Sequence, residues 1–153
     1  MSRASEWKHG SVFMAFVLIA ALGGYLGPPG AWYASLAKPS FTPPNWVFPS
    51  VWTLLYFLIA YAAARVYTAT GLGLPIWLWV GQWLLNAIWT PIFFRYHLIG
   101  WALVDATALL VAAIATTVAF RPVDRVATEL MAVYSAWVGF AALLTLQIWR
   151  LNA

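Results

Sequence analysis

Three sets of aromatic and amide side chains recur in this sequence at helical intervals. Trp52, Tyr56, Ile59 and Ala63 fall on one stripe of an α-helix. Gln82, Asn86, Trp89 and Phe93 share a second stripe, and Tyr134, Trp137, Ala141 and Thr145 lie close together on a third. An apolar stripe that also carries amides faces protein or a cavity rather than lipid. Gln82 and Asn86 stand one helical turn apart, so they present donors and acceptors in one direction. Two uses fit that arrangement, hydrogen bonding between helices and contact with a ligand. For any single residue they weigh equally, and three such stripes together favour a cavity. Of the eleven tryptophans, Trp7, Trp77, Trp101 and Trp149 fit a different role, as rings at the headgroup level of a bilayer.

The remaining reactive groups are few. Asp105 is the one acid well inside an apolar stretch, and such residues are functional candidates by default. A hydrogen bond to a neighbouring helix is the alternative, and its place two turns from a helix start favours that structural role. A proton relay would need further carboxylates or histidines at the same depth, and none is present. His9 and His97 fall outside or at the ends of the apolar stretches, which gives poor support for a metal site or a haem ligand. The absence of cysteine excludes disulfides, iron–sulfur clusters and thiolate chemistry. No nucleophile–base pair, phosphate-binding glycine loop or pair of carboxylates can be assembled, so the residues alone do not show catalysis.

The elements that must hold these groups follow from composition. The 153 residues are 64% hydrophobic and 8% charged, with a mean hydropathy of +0.82. A soluble domain carries roughly 25% charged residues, so this chain lacks the polar surface that water requires. The reading is an all-α, polytopic membrane protein, a single domain over 1–153 built as a five-transmembrane-helix bundle. Five spans of about 20 residues leave about 50 for loops and ends. The spans are expected near 11–26, 50–67, 75–94, 99–120 and 124–149. Their unbroken apolar length, without alternation, argues against a transmembrane barrel. Five basic residues (Arg3, Lys8, Arg65, Arg121, Arg125) fall on the N-terminal side and three (Lys38, Arg95, Arg150) on the other. That margin favours a cytoplasmic N-terminus in a bacterial cell membrane. The net charge of +4 is scattered, so nucleic acid is not an expected partner. Gly23, Gly24 and Gly27 predict close helix contact. Pro91 interrupts the third span, where Thr90 could satisfy the freed carbonyl.

The first and second spans are joined by a segment containing Pro39, Pro43, Pro44 and Pro49, just after Pro28 and Pro29. Proline fixes φ and removes a donor, which predicts a stiff aromatic loop without regular helix until about Ser50. Such a loop suits a lid over a cavity. Its residues also carry a resemblance. The run WY-x-x-L-x-KP-x-F-x-PP-x-W-x-F from Trp32 to Phe48, and W-x-x-LY from Trp52 to Tyr56, resemble the translocator proteins, also called tryptophan-rich sensory proteins or peripheral benzodiazepine receptors. Three further runs continue the match: Q-x-x-x-N-x-x-W-x-P-x-FF from Gln82, GWALVD from Gly100, and Y-x-x-W-x-x-FA from Tyr134.

The resemblance covers nearly the whole chain. It implies a five-helix bundle, usually a homodimer among membrane lipids, with a cavity opening under the first loop. It implies porphyrins such as protoporphyrin IX, haem, and other hydrophobic small molecules as ligands, with no obligatory cofactor and no metal. Positions matching the family's pocket are Tyr33, Trp52, Tyr56, Asn86, Trp89, Trp137 and Ala141. Trp52 and Trp137 match tryptophans implicated in light-dependent porphyrin breakdown, so an enzyme-like activity is a rival to simple binding, and lipid or sterol transport is a third. For the breakdown, an indole stacked on an excited macrocycle can donate an electron or trap reactive oxygen. The resemblance places the protein in a bacterial cell membrane, or in the mitochondrial outer membrane of a eukaryote. Three departures are visible. Many members have Pro where this chain has Val133 and Asn where it has Thr145, and the animal sterol motif needs a tyrosine at Leu146. Leu58, Tyr61 and Arg65 match only the permissive general cholesterol pattern.

Overall fold

The computed structural model describes residues 3–26 and 29–153, with side chains for 8–19, 21, 22 and 29–153. Its elements are α1 (Arg3–Leu26), a short α2 (Ala31–Ser35), α3 (Val47–Thr70), α4 (Leu74–Thr90), α5 (Ile99–Phe120) and α6 (Arg125–Asn152). A five-residue π-turn, Pro91–Arg95, extends α4. Taken alone, α3, α5 and α6 are each long and apolar enough to cross a membrane. The stretch that runs through α4 and its π-turn has a similar length.

The five long helices form a closed ring. Helix α1 packs on α3, α3 on α6, α6 on α5, α5 on α4, and α4 back on α1. Alternating direction puts the start of α1 beside the end of α3, where His9 Nδ1 lies 3.2 Å from Thr68 Oγ1. Arg65 and Asp124 meet at this same end. The opposite end carries α2, the proline-rich loop and the α4–α5 connection. Small residues bring the helices close, with Ala60, Ala62, Ala63 and Ala64 of α3 all buried. Two indoles then tie neighbours together through hydrogen bonds. Trp79 Nε1 donates to Ile59 O at 3.1 Å, and Trp83 Nε1 to Phe16 O at 2.7 Å.

Several boundaries differ from those the sequence predicts, each for a local reason. Helix α1 begins at Arg3 rather than near 11, because the polar residues before Ser11 extend the helix beyond its apolar stretch. Helix α3 begins at Val47, not Ser50. Pro49 is its third residue, and amides of the first turn need no partner within the helix. The segment before it is not all loop either, since Tyr33 sits in α2. Asp124 stands just outside α6 as its N-cap, accepting from Ala127 N at 2.7 Å. The break at Pro91 is a widened turn in which Tyr96 N reaches back five residues to Pro91 O at 3.0 Å. Thr90 makes no side-chain bond to a freed carbonyl among the described residues, and it lines the cavity instead. Of the close approach expected at Gly23, Gly24 and Gly27, Gly27 lies outside the described residues, and the surroundings of Gly23 and Gly24, like the side chain of Trp7, lie outside the described side chains.

The proline-rich segment is held at three points. Thr42 N and Thr42 Oγ1 both donate to Pro39 O, at 3.1 and 2.7 Å, closing a turn. The Asn152 side chain, at the end of α6, brackets Ala37. Its Oδ1 accepts from Ala37 N at 3.0 Å and its Nδ2 donates to Ala37 O at 2.9 Å. Trp32 of α2 stacks on His97 of the α4–α5 connection with ring centroids 3.9 Å apart. His97 has φ of +56°, a left-handed conformation that histidine tolerates better than most residues.

Candidate functional site

Beneath that loop the ring encloses a cavity of about 570 Å³. Every long helix contributes to its wall: Ala21 from α1, Trp52 and Tyr56 from α3, Asn86 and Trp89 from α4, Ala106 from α5, and Ala141 from α6. Tyr33 of α2 and Asn45 of the loop close the top. The volume lies within the range of roughly 300–1,000 Å³ that small-molecule sites occupy. A second hollow of about 670 Å³ lies on the outside, between α4 and α5. Its lining is almost wholly aliphatic, with Val104, Ala108, Val111 and Ala112 among its residues. Such a surface suits acyl chains, whereas convergent polar groups belong to the enclosed cavity.

Those polar groups form one chain at the cavity floor. Tyr56 Oη donates to Asn86 Oδ1 at 2.9 Å, and Asn86 Nδ2 donates to Tyr134 Oη at 3.0 Å. Tyr134 Oη in turn donates to Gln82 Oε1 at 2.7 Å. Tyr56 and Asn86 face the cavity, while Tyr134 and Gln82 lie behind them, fully buried. The bonding order fixes what the floor offers. The phenol hydrogen of Tyr56 is already committed, so its oxygen can only accept, and one Asn86 amide hydrogen remains to donate. The rest of the wall is aromatic. Trp89 stacks on Phe93 at 5.0 Å, and Trp52 lies 5.7 Å from Tyr56 and 6.3 Å from Tyr134.

The lid end sets the electrostatics of the mouth. Tyr33 packs edge-on against Phe93 and Phe94, and burial raises its phenol pKa above the ordinary value. The Lys38 ammonium sits 4.5 Å from the Tyr33 ring centroid. At the far end, the Arg65 guanidinium beside Asp124 holds that carboxyl below its usual range. Arg65 also donates to Tyr61 Oη at 3.1 Å. The Leu58, Tyr61, Arg65 pattern thus has its cation engaged within the protein.

Six of the seven pocket positions named from the sequence, Tyr33, Trp52, Tyr56, Asn86, Trp89 and Ala141, line the cavity. Trp137 does not. It stands behind Trp52, edge-on at 6.5 Å, and between Phe48 and Phe140. Asp105 is buried in α5 at 6% exposure but outside the lining, and its Oδ2 has no partner among the described residues. His97 stacks on Trp32, while His9 packs edge-on to Tyr67. Among the described residues no group of three potential metal ligands is found. Helical spacing missed Phe48, Thr53, Phe94 and Leu144 of the wall. Thr53 follows Trp52 directly and Phe94 follows Phe93, and one stripe cannot hold adjacent residues. Trp77 and Trp101 are mostly exposed near helix starts, as rings at a bilayer surface would be.

A ring of apolar helices around an aromatic cavity, closed at one end by a tethered loop, defines an integral membrane protein with an enclosed chamber. The TspO/MBR family profile matches residues 11–150, and the chain belongs to that family. It is 39% identical over 150 residues to the translocator protein of Homo sapiens, covering 91% of this chain and 89% of that one. Its identity to protein CrtK of Rhodobacter capsulatus is 38% over 152 residues, with 93% of each chain covered. The tryptophan-rich sensory protein of Cereibacter sphaeroides is 36% identical over 147 residues, covering 96% and 93%. The protein is thus a membrane-embedded member of the translocator and sensory proteins.

Proposed function

We propose that the protein binds tetrapyrroles, such as protoporphyrin IX and haem, and related hydrophobic ligands in the cavity beneath the loop. The observation that carries this reading is the cavity itself, about 570 Å³ enclosed by Trp52, Tyr56, Trp89 and Phe93 with a polar floor at Asn86. Flat aromatic ligands gain most from ring faces such as these, through burial and offset stacking. An apolar ligand would enter from the membrane or through the loop, and the Asn152 and His97 contacts would hold the lid closed over it. The test is titration with protoporphyrin IX while following tryptophan fluorescence. Saturable quenching is expected, and Trp52→Phe and Trp89→Phe should each reduce its amplitude. Linear, non-saturating quenching unchanged by both substitutions would remove the cavity from the site.

A second reading is favoured by the placement of Trp52 in the wall with Trp137 edge-on behind it, at 6.5 Å. An indole at the wall can give an electron to an excited macrocycle, and a second indole in contact can share the resulting charge. Light- and oxygen-dependent loss of bound porphyrin would follow. Under illumination, spectral loss should exceed a protein-free control and fall in Trp52→Phe. Equal loss in both samples would leave binding alone.

A further inference from the structure

The charged residues are sorted along the bundle. Lys38, Arg95 and Arg150 all lie at the lid end, on the loop, the π-turn and the last turn of α6. The sequence holds four acids. Glu6, Asp124 and Glu129 lie at the far end, at the starts of α1 and α6. The fourth, Asp105, is sealed between helices. The mouth of the cavity therefore carries cations without matching side-chain carboxylates.

Lys38 is the lid-end cation whose ammonium lies against a residue of the cavity wall, Tyr33. Its Nζ reaches only neutral oxygens, Leu36 O at 3.1 Å and Ala34 O at 3.5 Å, and neither ion pair among the described residues includes it. An ammonium has three donors, so one remains unassigned. It rests over the Tyr33 ring, and that same residue forms part of the cavity wall. A half-buried cation that meets only carbonyls and a ring face gains from any anion brought beside it.

We propose that the site selects amphiphiles bearing a carboxylate, whose apolar body fills the aromatic cavity while the carboxylate meets the Lys38 ammonium at the mouth. This rests on the cavity reading above and adds a polarity to it. The ligand enters body first and keeps its acid group at the lid.

The test uses the full chain in neutral detergent, titrated with protoporphyrin IX and with its dimethyl ester. Wild type should bind the free acid about ten-fold more tightly than the ester, the worth of one charge-assisted contact at a partly wet site. Lys38→Met should erase that preference by weakening the acid alone, and Lys38→Arg should keep it. A preference that survives in Lys38→Met overturns the assignment. Equal binding of acid and ester by wild type also overturns it, while leaving the tetrapyrrole site intact. Failure of both compounds to bind wild type would instead remove the tetrapyrrole reading. A lipid headgroup is the other source of an anion. Repeating the titration in phosphatidylcholine nanodiscs with and without phosphatidylglycerol separates the two. The preference should persist in both, and its loss on adding the anionic lipid would assign Lys38 to the membrane surface.

Discussion

Removing one oxygen, in Tyr134→Phe, should destabilise the bundle more than its size suggests. The Tyr134 hydroxyl accepts from Asn86 Nδ2 at 3.0 Å and donates to Gln82 Oε1 at 2.7 Å, with no exposure to water. Its loss strands an Asn86 hydrogen and the Gln82 carbonyl together. Gln82 would then have no partner at all, because its Nε2 already lacks one among the described residues. In soluble proteins each orphaned group costs about 1–3 kcal/mol. Hydrogen bonds between membrane helices are weaker, averaging about 0.6 and reaching about 1.7 kcal/mol. Two bonds on the membrane scale give about 1–3 kcal/mol, and that scale applies to a buried site between spans. For a chain of this size the loss corresponds to a drop in Tm of about 3–10 °C. The assay is thermal unfolding in detergent, followed by intrinsic fluorescence. Gln82→Leu alone strands the Tyr134 hydrogen, but the double variant removes donor and acceptor together and should recover part of the loss. A Tyr134→Phe protein that melts within 1 °C of wild type, by about the precision of such scans, refutes the network as a structural element. Strict additivity in the double variant would refute the coupling between its members.

Three further outcomes follow from contacts elsewhere. Asp124 is held below its ordinary pKa, first by Arg65 and also by the Ala127 amide, so it binds fewer protons folded than unfolded. Its contribution is therefore complete above the unfolded value near 4 and is lost as pH falls through the lower folded value; Asp124→Asn should cost about 1 kcal/mol at neutral pH and flatten the acid limb of a Tm–pH profile. Asn152→Ala should barely move Tm but should speed ligand release and raise hydrogen exchange at the Ala37 amide, since both bonds to Ala37 vanish; unchanged exchange would deny the tether. His97→Gly should be more stable than His97→Ala by about 0.5–1 kcal/mol, because both lose the Trp32 stack while only alanine keeps the left-handed strain at φ +56°. Melting temperatures in the opposite order would contradict that account.

Helical spacing points to three of the five cavity walls because residues one turn apart share a stripe, whereas the α1 and α5 walls, at Ala21 and Ala106, carry no such signal. Trp52 and Tyr56 are one turn apart on α3, as are Gln82 and Asn86 on α4, and the period alone aligns them. What spacing cannot give is rotation about the helix axis relative to neighbours. Tyr134 and Trp137 share a stripe, yet one completes the floor network and the other backs onto Trp52. Long-range contacts were equally invisible. Asn152 and Ala37 are 115 residues apart, and no local pattern in either segment announces their bond. The proline rule erred at Pro49, where a missing amide is harmless in a first turn. The interruption expected at Pro91 takes the form of a widened turn over Pro91–Arg95.

That widening at Pro91–Arg95 has a consequence for how such a chamber could be resized. Consecutive helical residues diverge by about 100°, yet Phe93 and Phe94 both line the chamber, as Trp52 and Thr53 do on α3. The widened turn carries both of these rings. Deleting a single amino acid there would restore ordinary winding and rotate everything downstream, Trp32's partner His97 included. A change of length in this one turn would thus reshape a single side of the chamber while every residue of the other four walls stayed as it is.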